Sequence, residues 1–148
     1  MPGRVFEDCL VLVEHQLAKA KVVVEREFVP VPAVAINRQE LQQVLVNLLI
    51  NAIHAMPQGG ALTISTGRHG DFVELGVSDT GEGLAPELLG RLFQPFVTRK
   101  KDGTGLGLWI SRGIVERYGG DVQAANRDDG IRGARFAVLL RPADFLQR

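Results

Sequence analysis

The chain has one cysteine, no excess charge of either sign and no long apolar run. Its single Cys9 excludes an internal disulfide framework, which favours a reducing compartment, so we expect a cytoplasmic protein. Seventeen basic side chains balance seventeen acidic ones, so no net field attracts nucleic acid or a membrane surface. Because no apolar run approaches the roughly twenty residues of a membrane span, we expect no direct membrane contact.

What is present is the composition of an ordinary globular domain. The 148 residues are 45% hydrophobic and 23% charged, so we expect a single domain over residues 1–148 with a core of its own. Cys9 shares an apolar helical face with Phe6, Leu10 and Val13. This placement predicts a packed thiol in the core and not a nucleophile.

Hydrophobic periodicity predicts a mixture of helices and strands. Helices are predicted over residues 5–19, 37–56 and 86–93 and from Leu106 onward. A strand is predicted from Val22, a hairpin over 61–79 that turns around 67–71, a polar loop over 94–104, and a closing hairpin from 121–127 and 134–142. Because hairpins dominate the strand pairing, we expect an α/β (α+β) two-layer sandwich, with a mixed, mostly antiparallel sheet packed against helices.

The helix predicted over 37–56 has one apolar face and one narrow polar stripe. The apolar face comprises Leu41, Leu45, Leu48, Leu49, Ala52 and Met56. The stripe comprises Glu40, Gln43, Asn47, Asn51 and His54. Asn47 and Asn51 are poor helix formers whose half-buried amides would need partners, which favours a ligand or hydrated cation there. A solvent-facing stripe is the alternative.

Two glycine-rich segments frame other candidate residues. In "DTGEG", Asp79 ends a strand, and Gly81 and Gly83 permit positive φ and a close approach to the backbone. The alternative for Asp79 is an ordinary turn aspartate that accepts from its own backbone. "GTGLGL" fits neither a P-loop nor a convincing dinucleotide fingerprint, yet bare N–H groups at a helix entrance suit an anion. Its alternative is a flexible linker.

Four segments in order, "NLLINA", "DTGEGL", "FQPF" and "GTGLGL", resemble the N, G1, F and G2 boxes of two-component sensor histidine kinases. The resemblance is to the catalytic, ATP-binding domain and covers nearly the whole chain. It implies a Bergerat-type α/β sandwich in which ATP lies between the N-box helix and a lid. The implied activity is binding of Mg²⁺–ATP and transfer of the γ-phosphoryl group to a histidine on a separate acceptor domain.

The resemblance also implies roles for individual residues. Asn51 matches the asparagine that ligates Mg²⁺, Asn47 would face the same phosphates, and Asp79 would accept a hydrogen bond from the adenine amino group. Gly81 and Gly83 would let the turn pass close to the base. His54 is either a phosphate contact or a surface histidine.

The implied lid carries the remaining residues. Phe93 and Phe96 match the F box that anchors the lid. Lys100 stands where related proteins have a phosphate-contacting lysine, although "TRK" replaces their usual "TTK". The implied nucleotide-binding segment beside the phosphates is Gly103, Thr104, Gly105, Leu106 and Gly107. We expect Asn47, Asn51 and Lys100 to carry the catalytic work.

Asn47 bears on the choice between kinase and hydrolase. Hydrolases and serine kinases of this fold carry a glutamate general base at its position, and an amide cannot take a proton. A neutral imidazole nucleophile needs no such base, so the departure fits a histidine kinase. An ATP-hydrolysing conformational switch and a degenerate nucleotide-binding module remain the alternatives.

The chain contains no H-box of the acceptor kind, and His15 lies in the first predicted helix without the residues that accompany an acceptor histidine. We therefore expect a catalytic module of a longer kinase, monomeric and inactive in isolation. Its expected partners are ATP or ADP, the dimerisation and phospho-acceptor domain of the same kinase, and a response regulator downstream.

Overall fold

The computed structural model describes residues 2–89, 91–94 and 107–143. These residues form five helices and five strands. In order they are α1 (Pro2–Leu12), α2 (Glu14–Ala20), β1 (Val22–Phe28), α3 (Arg38–His54), β2 (Gly60–His69), β3 (Phe72–Ser78), α4 (Pro86–Leu89), α5 (Gly107–Arg117), β4 (Asp121–Asn126) and β5 (Ala134–Leu140).

The five strands form one sheet in the order β1-β2-β3-β5-β4. β1 pairs with β2 in parallel, and the other three pairings are antiparallel. The β2–β3 hairpin closes at His69 opposite Phe72, and Gly70 takes a φ of 61° in its turn. The predicted mixed, mostly antiparallel sheet is thus confirmed, as are both hairpins.

The helices cover one face of this sheet. Buried side chains alternate along the central strands, as in Val73, Leu75 and Val77 of β3, and they join α1, α3 and α5 in one hydrophobic core. The intervening positions on the other face are more polar, where Arg135 pairs with Glu74 at 2.5 Å. The two-layer sandwich predicted from the sequence is therefore the fold.

α3 is the central helix of the helical layer, in contact with both α1 and α5. Its predicted apolar face is buried throughout, and the core also takes Val44 and Ile53 from the same helix. The side chain of Asn37 caps the helix by accepting from the backbone N–H groups of Gln39 (2.9 Å) and Glu40 (3.1 Å). The Glu40 carboxylate accepts from the Tyr118 hydroxyl instead of completing a capping box.

Some predicted boundaries differ from those observed. The single helix predicted over 5–19 is observed as two helices, α1 and α2, because the helical conformation is interrupted at Val13. The helix predicted over 86–93 is helical only at Pro86–Leu89, and 91–94 form a turn. The predicted loop over 94–104 lies outside the described residues beyond Gln94.

Cys9 is fully buried in the core, as predicted. Burial raises the pKa of its thiol to about 11, so the sulfur stays protonated and unreactive near neutral pH. Within the described ranges, no helix is both long and apolar enough to cross a membrane.

Candidate functional site

The polar stripe of α3 borders a cleft at the end of the helix. Asn47 and Asn51 are half-buried, whereas His54 is exposed at the last helical turn. The stripe is therefore not a plain solvent face at its centre. The buried leucines on the opposite side of α3 fix this orientation, because a helix that buries one face must turn the other away from the core.

Asn51 is the polar residue of this stripe with an unmet hydrogen-bonding need. Its Nδ2 atom is buried and has no hydrogen-bond partner among the described residues. A buried amide nitrogen without a partner is costly, and a bound water, ion or ligand is one of the arrangements that would satisfy it. Because a carboxamide has an oxygen and a nitrogen of nearly equal size, rotation of the group can present either atom to the cleft.

Asn47 lies one turn earlier and makes a different contact. Its Nδ2 donates to the Oγ of Ser111 at 3.2 Å. Ser111 belongs to α5 and is fully buried. Asn47 is not among the residues that line the cleft described below.

The second wall of the site is the loop after β3, which begins at Asp79. Asp79 is 1% exposed, and its Oδ1 accepts from the backbone N–H groups of Gly81 (2.9 Å) and Ala134 (3.2 Å). The hydrogen bond from the Gly81 N–H is the one that an ordinary turn aspartate accepts, which is the alternative role stated for Asp79 in the sequence analysis. The bond to Ala134 ties the same carboxylate to the start of β5, so Asp79 is fixed from two sides.

The glycines of this loop are packed against protein. A Cβ at Gly81 would lie 2.2 Å from the carbonyl oxygen of Ala55, so only glycine lets the loop approach the end of α3. Gly83 has a φ of +84°, and a Cβ there would lie 2.8 Å from Oδ1 of Asn126. The structure therefore gives both glycines a packing role, and their closeness to a base stays a prediction.

Residues that the sequence did not single out hold this loop in place. The Asn126 side chain accepts from the Leu84 N–H (2.6 Å) and donates to the Leu84 carbonyl (3.0 Å). The Arg127 guanidinium donates to the Asp79 carbonyl at 3.2 Å and pairs with Asp129. The hydrogen bond from Arg127 holds the pKa of Asp129 below its ordinary value. The contacts of Asn126 with Leu84 and of Arg127 with Asp79 join segments that are far apart in the sequence, so no local sequence pattern indicates them.

Between these walls lies an open cleft of about 590 Å³. Its size is in the range of small-molecule sites. The lining residues are Asn51, His54, Ala55, Pro57, Glu82, Gly83, Leu84, Ala85, Pro86, Leu88 and Arg132. The cleft thus brings two predicted site residues of α3, Asn51 and His54, opposite the loop that Asp79 begins, and it adds Arg132, which no sequence motif indicated.

The predicted lid residues are placed only in part. Phe93 is half-buried and packs edge-on against Phe136, with 6.4 Å between ring centroids. Gly107 begins α5, and no heavy atom of the described chain would lie within 4 Å of a Cβ there. The other predicted lid residues lie outside the described residues: Phe96, Lys100, Gly103, Thr104, Gly105 and Leu106.

The described residues contain no group of three or more His, Cys, Asp or Glu side chains able to hold a metal ion. Mg²⁺ is different, because it retains waters and is commonly held by one or two protein oxygens together with substrate phosphates. The Asn51 carboxamide in the cleft fits that limited requirement.

The chain is similar to proteins of a known family. Residues 36–144 match the family model of the histidine kinase-, DNA gyrase B- and HSP90-like ATPases. The chain is 39% identical to the sensor histidine kinase ZraS of Escherichia coli O157:H7 over 109 residues, which are 74% of this chain and 23% of ZraS. The chain thus spans less than a quarter of that relative's length.

Two solved structures share the fold. The nucleotide-free catalytic domain of the histidine kinase ThkA superposes with a TM-score of 0.82 at 31% identity, covering 94% of this chain and 91% of that one. ThkA in complex with the response regulator TrrA superposes with a TM-score of 0.77 at 28% identity, covering 93% of this chain and 39% of that one. The chain therefore belongs to the family of histidine kinase-, DNA gyrase B- and HSP90-like ATPases, and its fold is that of the histidine kinase catalytic domains.

Proposed function

We propose that the chain binds Mg²⁺–ATP in the cleft between α3 and the Asp79 loop, and that it transfers the γ-phosphoryl group to a histidine on a separate acceptor domain. The observation that carries the proposal is the buried Nδ2 of Asn51, which has no hydrogen-bond partner among the described residues and belongs to a side chain on the wall of this cleft. An amide in that state is expected to have a ligand, and the family match supplies its class.

The Asp79 loop is the proposed adenine end. A purine amino group needs a hydrogen-bond acceptor, and Asp79 carries a buried carboxylate whose position is fixed by the backbone of Gly81 and Ala134. A carboxylate that is already held in one orientation distinguishes adenine from other bases better than a mobile one, because no further conformational entropy is lost in orienting it when the nucleotide binds.

The last turns of α3 are the proposed phosphate end. Asn51 would ligate Mg²⁺, Asn47 would face the phosphates beside it, and His54 lies on the cleft wall within the same stripe. Lys100 and the segment Gly103–Gly107 are proposed to meet the phosphates from the lid side. The metal, when bound, offsets the negative charge of the phosphates.

Asn47 supports transfer to histidine over hydrolysis. An amide cannot act as a general base toward water, whereas a neutral imidazole nitrogen attacks with a lone pair it already has. Phosphoryl transfer then depends mainly on positioning and charge stabilisation, which the site residues can provide.

The proposed partners follow from the same assignment. ThkA was solved in complex with a response regulator. We propose that the parent of this chain likewise acts with a phospho-acceptor domain of its own kinase and with a downstream response regulator, in the cytoplasm where ATP is available. The isolated chain is proposed to be a monomer.

The first prediction concerns Asn51. Asn51→Ala should raise the Kd for ADP by about 10-fold or more in the presence of Mg²⁺, and by less than about 3-fold with chelator, because only the metal contact is lost. Gln43→Ala is the matched control, since Gln43 is an exposed amide on the same helix. Isothermal titration calorimetry measures both conditions, and equal losses in both would remove Asn51 as a metal ligand.

The second prediction concerns Asp79. Asp79→Asn keeps an oxygen for the Gly81 and Ala134 N–H groups but can present a donor to the adenine amino group. ATP affinity should fall by at least about 10-fold, while GTP, which has a carbonyl at the equivalent position, should lose less. Asp71→Asn, in the exposed β2–β3 turn, is the control. Unchanged ATP affinity in a variant with an unchanged melting temperature would contradict the assignment.

The third prediction concerns activity. Mixed with the acceptor domain of its own kinase and labelled ATP, the chain should label that domain through a phosphoramidate that is lost in acid and survives alkali. Asn51→Ala should abolish transfer, and His15→Ala should leave it intact because His15 lies on exposed α2, away from the cleft.

The same assay separates the alternatives. The chain alone should remain unlabelled and should hydrolyse ATP only slowly. Label on the chain itself that disappears with His15→Ala would overturn the proposal, and so would rapid steady-state hydrolysis without any transfer to the acceptor domain.

A further inference from the structure

The turn between β4 and β5, residues 127–133, packs against the loop that begins at Asp79. A Cβ at Gly133 would lie 1.9 Å from the carbonyl oxygen of Asp79, so the two backbones are in direct contact. The N–H of Arg127 donates to the carbonyl of Gly133 at 2.9 Å and closes the turn. Arg132 comes immediately before this contact, and it lines the cleft. The fold thus brings the Arg132 side chain to the proposed adenine end.

Arg132 is a cation that no carboxylate neutralises within the part of the chain that the structure describes. The two arginines on either side of it in the sequence are paired, Arg127 with Asp129 and Arg135 with Glu74. The Arg132 side chain is exposed on the wall of the cleft and makes no ion pair or hydrogen bond with a described residue. Its guanidinium is therefore free to contact a bound molecule.

The local charge favours the base over the phosphates as the partner of Arg132. Glu82, on the loop that Asp79 begins, lines the same cleft, and its carboxylate would repel a phosphate group bound beside it. The proposed phosphate end lies instead along α3, at Asn51 and His54. A neutral purine bound at the Asp79 loop meets no such repulsion.

The residues that line this end of the cleft offer a purine little planar surface. The Asp79 loop and the start of α4 contribute Leu84, Ala85 and Pro86, and the described lining residues include no Phe, Tyr or Trp. A guanidinium is planar and more weakly hydrated than an ammonium group, so it stacks on aromatic rings. Its charge is also attracted to the π face of a ring. Arg132 is therefore the group at this end with the shape and charge to cover a purine face.

We propose that Arg132 is a nucleotide-binding residue whose guanidinium stacks on the face of the adenine base. Asp79 would then recognise the edge of the base and Arg132 its face, so the two residues contact different parts of the same ring. Stacking tolerates different bases because every base has a π face, so Arg132 supplies affinity and Asp79 supplies selectivity. This inference rests on the function proposed above.

The test separates a stacking contact from a charge contact. Arg132→Ala should raise the Kd values of adenosine and of Mg²⁺–ADP by a similar factor, about 3- to 10-fold, because the contact is to the base that both ligands share. Arg132→Lys keeps the charge but loses the planar group, so it should still weaken binding of both ligands by at least about 3-fold. Titrations followed by ¹H–¹⁵N NMR measure both Kd values.

Arg68→Ala is the matched control, since Arg68 is an exposed arginine of β2 that does not line the cleft. It removes the same charge and should change either Kd by less than about 2-fold. Because Arg132 is itself exposed, Arg132→Ala should leave the melting temperature unchanged, which excludes unfolding as the cause of weaker binding.

A second measurement reports the contact directly. In the wild-type chain saturated with ADP and Mg²⁺, nuclear Overhauser effects should connect the side-chain protons of Arg132 with the ring protons of adenine. Their absence at saturation would overturn the proposal without reference to any variant.

The outcomes distinguish this inference from the proposed function. If the wild-type chain binds Mg²⁺–ADP through Asn51 and Arg132→Ala behaves like Arg68→Ala, the role of Arg132 is wrong and the function stands. If the loss appears with ADP but not with adenosine, or if lysine restores wild-type affinity, Arg132 attracts the phosphates and the stacking proposal fails. If the wild-type chain binds neither adenosine nor ADP, both proposals fall.

Discussion

The burial of one face of α3 against the sheet is the constraint on which the site depends. The side chains of Leu45, Leu48 and Leu49 are fully excluded from solvent. Burying each of them stabilises the folded state by about 1.5–3 kcal/mol relative to leaving it exposed to water. This apolar contact decides the rotation of the helix about its axis. The helical period then turns Asn47 and Asn51 away from the sheet, at a depth where their amides are half-buried. The chemistry proposed for the cleft is thus a consequence of leucine packing.

The opposite wall is held by hydrogen bonds as well as by the burial of Leu84. The loop that begins at Asp79 is tied to β5 through Ala134, and the end of β4 holds it through Asn126 and Arg127. Directional bonds fix a backbone path that apolar contacts alone would leave variable. Glycine at position 81 lets this loop reach the end of α3, so the two walls meet at one end and open into the cleft at the other.

The parts of the fold that could be predicted are those encoded by local periodicity. α3, both hairpins and the two-layer architecture follow from patterns within single segments. The contacts that could not be predicted join distant segments: Ser111 with Asn47, and Asn126 with Leu84. The break at Val13 also escaped prediction, because α1 and α2 together keep an unbroken helical spacing of apolar residues. For the site, the sequence indicated Asn51 and Asp79, and the packing reason for Gly81 emerged only from tertiary structure.

The central claim is that one nucleotide contacts both walls of the cleft at once. The most direct measurement is a titration of the ¹⁵N-labelled chain with ADP and Mg²⁺, followed by two-dimensional ¹H–¹⁵N NMR. The account predicts saturable shifts of the Asn51 side-chain amide and of the Asp79–Gly83 backbone amides, with a common Kd. Removal of Mg²⁺ should reduce the Asn51 shift selectively. Shifts confined to one wall, or clustered on the polar face of the sheet around Glu74 and Arg135, would contradict the account.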